Sequence, residues 1–129
     1  MEVRVGSIRA GDTGEYIGRP GKGRFGSPLA NPYPITNTQH RGAVVTKYRA
    51  WLWRRVTGRD QKVLLELGRL LRLALRPEGV TLLCWCHAVG EIVPACHGDV
   101  IKAALEWLAE DPVMAAALEL GGTIAAIGE

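Results

Sequence analysis

No run of about 18 apolar residues, the length a membrane-spanning helix needs, occurs anywhere in the chain. The best candidate, Val63 to Leu75, is broken by Glu66, Arg69 and Arg72. The opening residues Met1-Glu2-Val3-Arg4-Val5 lack the long apolar segment of a secretory signal. Cysteine is scarce, with three in 129 residues. Cys84 and Cys86 stand too close in an extended strand to bridge comfortably, so a disulfide framework fits poorly. Reduced thiols and a cytoplasmic location are expected instead. The chain also lacks the GK[ST] of a Walker loop and the GxGxxG of dinucleotide folds. The zinc-deaminase pattern, His-x-Glu followed by Pro-Cys-x-x-Cys, fails as well. His87 and Glu91 are too widely spaced, and Pro94-Ala95-Cys96-His97 has no second cysteine. No internal repeat is visible.

A 47% hydrophobic fraction with 22% charged residues describes one globular domain with a substantial core. The net charge of +3 conceals an asymmetry. Residues 1–62 hold twelve Lys/Arg against four Asp/Glu, whereas residues 63–129 hold four against nine. A basic half suits an anionic partner such as a nucleotide, a phosphate or nucleic acid. It equally suits a solvated face whose charges pair with the acidic half.

Hydrophobic patterning predicts short strands over Val3 to Ile8, Glu15 to Gly18 and Val80 to Trp85. The last is apolar throughout, as in a strand covered on both faces. Apolar residues at three- and four-residue spacing predict helices from about Gln39 to Arg55, Gln61 to Arg76, and Gly98 or Asp99 to Ala109. Thr36, Asn37 and Thr38 offer caps for the first. A short fourth helix is expected over Met114 to Leu120, and an apolar tail over Thr123 to Ile127. The expected fold is α/β, a small, partly parallel sheet of short strands covered by three or four helices. Ligands in such sheets gather at the carboxyl ends of strands.

Two segments carry chemistry. Cys84-Trp85-Cys86 followed by Cys96-His97-Gly98-Asp99 supplies three thiols and an imidazole, a sensible tetrahedral zinc set, with His87 as a spare ligand. Small buried thiols packing at a strand end would give the same pattern. A third reading makes Cys96 a nucleophile and His97 its acid–base partner, because both precede a helix N-terminus. Asp99 is expected to cap that helix. The second segment, Tyr16-Ile17-Gly18-Arg19-Pro20-Gly21-Lys22-Gly23-Arg24, is a glycine-rich basic loop. Its backbone and its cations Arg19, Lys22 and Arg24 could hold phosphate. Tyr16, Gly18 and Asn31 complete the candidate ligand-binding set, although Asn31 before Pro32 suits a turn better. On the first helix Trp51 falls on the apolar stripe, while Trp53 beside Arg54 and Arg55 falls off it and could stack on bases.

Tyr16-Ile17-Gly18-Arg19, Ser27-Pro28-Leu29-Ala30-Asn31-Pro32-Tyr33, Lys47-Tyr48-Arg49-Ala50-Trp51-Leu52 and Cys84-Trp85-Cys86…Cys96-His97-Gly98-Asp99-Val100 together resemble an uncharacterised family of bacteria and bacteriophages, domain of unknown function 4326. The resemblance covers roughly Val3 to Leu108. The stretch from Cys86 to Cys96 and that from Gly21 to Phe25 are longer than the family pattern. The resemblance implies one domain, with residues 1–110 as its core and 111–129 as an extension suited to a homodimer contact or an added strand. It also implies that the loop, the Asn-Pro segment and the Cys/His segment belong together. It brings no activity. The sequence therefore leaves three readings: a nucleotide- or nucleic-acid-related domain with a candidate zinc site, a thiol enzyme acting on a nucleotide or base, and a non-catalytic interaction module.

Overall fold

A computed structural model describes residues 1–33, 41–85 and 96–111. Three strands, β1 (Val3–Ser7), β2 (Glu15–Tyr16) and β3 (Val80–Cys84), form one sheet in the order β1-β3-β2. Both pairings are parallel, with Val3 opposite Val80, Ser7 opposite Cys84, and Tyr16 opposite Leu83. Three helices accompany them, α1 (Arg41–Thr57), α2 (Gln61–Ala74) and α3 (His97–Glu110). The expected small α/β sheet is thus present, and among the described residues both of its strand pairings are parallel. The fourth helix, the apolar tail, the 36–38 caps, Cys86 and His87 lie outside the described residues.

Val80, Leu82 and Cys84 alternate onto one face of the central strand and join a core made with Leu67, Leu70, Leu71 and Ala74 of α2 and Ile101 and Leu105 of α3. Each such leucine, fully withdrawn from water, contributes about 1.5–3 kcal/mol. Helix α1 packs chiefly on α2 and α3, burying Tyr48, Leu52 and Val56. Trp51 is only half-buried, stacked on Tyr48 at 5.5 Å, and Trp53 is exposed.

The opposite face of β3 is covered without a long helix. Residues 8–14, opening with a short 3-10 turn over Ile8–Ala10, carry the chain from β1 to β2 across β3. Parallel crossovers usually need a dozen residues or more. This one is short because it lies directly on the strand: a Cβ on Gly14 would stand 2.3 Å from the Thr81 carbonyl oxygen. Asp12 ties it back, its carboxylate accepting from the Ser7 N–H at 2.8 Å.

Asp60 caps α2, accepting from the Val63 N–H at 3.2 Å. Helix α3 starts one or two residues earlier than expected because Cys96, not Asp99, is its N-cap. Asp99 sits at the third helical position, and its carboxylate accepts from the Cys96 N–H at 2.7 Å. The two residues form a reciprocal capping box with cysteine where serine or threonine usually stands. No helix among the described residues is long and apolar enough to cross a membrane.

Candidate functional site

Because the strands are parallel, Ser7, Tyr16 and Cys84 all end at one edge of the sheet, and α3 begins beside them. That edge brings the Cys84 and Cys96 sulfurs to 3.8 Å, both fully buried. The Gly98 N–H of the first turn of α3 points at the Cys96 sulfur, 3.3 Å away. The positive end of the helix therefore faces this atom. Next in the chain, His97 is buried and its Nε2 lies 3.0 Å from the Ile17 carbonyl oxygen. A carbonyl only accepts, so Nε2 carries the hydrogen and the neutral ring keeps Nδ1 as its acceptor. Burial holds His97 below the usual histidine range, and the Arg19 guanidinium pushes in the same direction. The Ile17 bond and the charges of Cys96 and Asp99 oppose that shift.

Ile17 also opens the glycine-rich loop, which is folded rather than slack. The Ser27 N–H closes its base onto the Gly18 carbonyl at 2.9 Å. At its tip Gly21 and Arg24 exchange two backbone hydrogen bonds, at 3.1 and 2.9 Å, around Lys22 and Gly23. Both central residues have positive φ, 51° and 77°, the mark of a type I′ hairpin turn. The amides of Gly21 and Arg24 are thus spent on the hairpin, so their N–H groups do not cradle phosphate. The tip's cations rest on rings: Lys22 lies 4.9 Å from the Trp85 ring centre and Arg24 5.3 Å from that of Tyr16. Tyr16 folds back over Gly18, whose missing Cβ would stand 2.5 Å from the phenol oxygen, and donates to the Arg19 carbonyl at 2.7 Å. Its hydroxyl shapes the loop.

Among the described residues no ion pair claims Arg19, Lys22 or Arg24. The ion pairs lie elsewhere, as in Arg69 with Glu66 and Glu15, which lifts the Arg69 guanidinium above its usual range and ties α2 to β2. Asn31, also buried, accepts from the Tyr33 N–H at 2.9 Å in a local turn.

Tyr48 is the residue that sequence patterning gave no functional weight. It reads as one apolar position of the α1 stripe, yet its phenol links three parts of the site. The hydroxyl donates to the Leu29 carbonyl at 2.6 Å, and the ring meets the His97 ring edge-on at 5.3 Å. Burial, with the Cys96 sulfur adding to it, holds the phenol well above its usual ionisation range, so it remains a donor. Its target is a backbone carbonyl, for which the sequence has no signature.

Of the candidate set, the structure brings together Cys84, Cys96, His97, Tyr16, Gly18 and Arg19, with Lys22 and Arg24 above Trp85 and Tyr16. Asn31 joins through the Leu29 segment that Tyr48 holds. Among the described residues no group of three or more His, Cys, Asp or Glu side chains is arranged to hold a metal. Cys86, the remaining thiol of the candidate zinc set, lies outside them.

No curated protein and no solved structure matches the chain. A family comparison does match, over residues 3–107, an interval containing both the loop and the Cys/His segment. The chain belongs to the family described as Domain of unknown function (DUF4326).

Proposed function

We propose that the domain binds a phosphate-bearing ligand of the nucleotide class at the carboxyl edge of its sheet. Arg19 and Lys22 contact the anion, and the Cys84, Cys96 and His97 group forms the adjoining wall. The observation that carries this reading is the His97–Ile17 hydrogen bond, which ties the neighbour of Cys96 to the residue two before Arg19, a cation that no ion pair claims among the described residues. A phosphate there meets charge without having to displace a carboxylate first. Thermal shifts across nucleotides, inorganic phosphate and short oligonucleotides test it. At least one phosphate-bearing compound raises the midpoint, and Arg19→Ala and Lys22→Ala each reduce that rise. A shift that both variants leave intact defeats the assignment.

The same wall suits zinc. Two thiolates on one tetrahedral zinc, each bonded at about 2.3 Å, lie about 3.8 Å apart, the separation of Cys84 and Cys96. His97, its Nε2–H fixed by a backbone carbonyl, has the outer-shell bond that zinc-bound imidazoles make. In this proposal Cys86 supplies the third sulfur. Native mass spectrometry should find one zinc per chain, lost in Cys84→Ser. A protein that stays metal-free when refolded with zinc rules this part out.

The thiol-enzyme reading has the Cys96 sulfur at a helix N-terminus in its favour and its complete burial against it. Alkylation of Cys96 at the rate of an exposed thiol would restore that reading.

A further inference from the structure

Helices α1 and α3 each bury one stripe in the core and leave a second, similar stripe beside it. On α1 that stripe is Thr46, Ala50 and Trp53, and on α3 it runs from Val100, itself buried in the core, through Ala104 to Trp107. Both follow a spacing of four and then three residues, two smaller side chains and then a tryptophan. Between them runs an open groove of about 490 Å³ that shares no lining residue with the candidate ligand site. Trp53 and Trp107 remain 51% and 42% exposed although their rings touch edge-to-face at 5.1 Å. Two half-exposed indoles over an apolar trough mark an association surface.

The walls differ in charge. Helix α1 contains no acidic residue and places Arg49 in the groove. Helix α3 has no basic residue in its last turn, and towards its end Glu106 and Glu110 are exposed beside, not in, the groove's lining. A two-fold axis that laid the α1 wall of one molecule on the α3 wall of another would match stripe to stripe and bring Arg49 towards those carboxylates, the self-complementarity a symmetric interface requires.

We propose that this groove is the interface of a homodimer, each copy's tryptophans filling the other's trough. Sedimentation velocity of the full chain, from micromolar to submillimolar concentration, reads it directly. The expected result is a reversible dimer, weakened roughly tenfold, equivalent to about 1.4 kcal/mol, by Trp53→Gln or by Trp107→Gln. Both rings are exposed enough for the variants to fold, which circular dichroism checks. Arg49→Glu alone and Glu106→Arg with Glu110→Arg each weaken self-association, and mixing the two charge variants restores a heterodimer. A chain that stays monomeric throughout overturns the proposal, and residues 112–129 of the same chain or a different protein then become the groove's occupant. A dimer that ignores both tryptophan variants and the charge exchange also overturns it, since the contact then lies elsewhere.

Discussion

Tyr16 and Tyr48 allow one chemical change to be made twice, in two environments. Each phenol donates to a backbone carbonyl at nearly the same distance, 2.7 Å to Arg19 and 2.6 Å to Leu29. The Tyr48 bond is buried, so Tyr48→Phe leaves the Leu29 carbonyl without a partner and without water. An orphaned buried acceptor costs about 1–3 kcal/mol. The Tyr16 bond is exposed, and water can replace the lost hydroxyl, so Tyr16→Phe should cost about 0.5 kcal/mol or less. A chain of this size changes its midpoint by about 4 °C per kcal/mol. Tyr48→Phe should therefore melt roughly 4–12 °C lower and Tyr16→Phe about 2 °C lower or less. Urea titration with an unchanged m-value would confirm that both variants unfold from the same compact state. Equal losses, or a larger loss for Tyr16→Phe, would show that burial of the Leu29 carbonyl is not what gives Tyr48 its weight.

Acidification tests His97 in metal-free protein. Its folded-state value lies below the unfolded 6.5, so its contribution is complete above that pH and is lost as pH falls toward the folded value. Between pH 7.5 and 5.5 one such group can remove at most about 1.4 kcal/mol, and the difference between wild type and His97→Gln in urea titrations at each pH isolates it. Asp99→Ala removes the return half of the α3 capping box and should cost about 1 kcal/mol. Asp99→Asn should recover most of that loss in the same denaturation assay. Gly18→Ala drives a methyl into the Tyr16 ring, so a lower midpoint with a weakened phosphate-induced shift is expected in thermal melts.

Much of the fold was legible because burial imposes periods. The α2 stripe from Val63 to Ala74 and the continuous apolar run of β3 mark their elements within a few residues. The start of α3 was misread for a local reason: cysteine is not among the usual N-caps, so Asp99 was preferred although it serves from inside the first turn. The small α/β sheet was legible, but not that residues 8–14 alone carry a parallel crossover, because such connections are normally longer. Gly14 permits an approach to Thr81 that a side chain there would obstruct. At the site, a strand end and a helix start were enough to foresee that Cys84 and Cys96 could meet. The Tyr48 bond ends on a backbone carbonyl, which leaves no trace in side-chain identity, and at the loop tip Gly23 alone hints at the hairpin turn.

Lys22 occupies a left-handed backbone position, φ 51°, that costs most residues about 1–2 kcal/mol and asparagine or glycine far less. Lys22→Asn should thus make the domain hardier while stripping the cation from above Trp85. Under the proposed function, folding and ligand capture select different amino acids at this position, and a library screened for thermal resistance alone would be expected to erode the proposed binding there first.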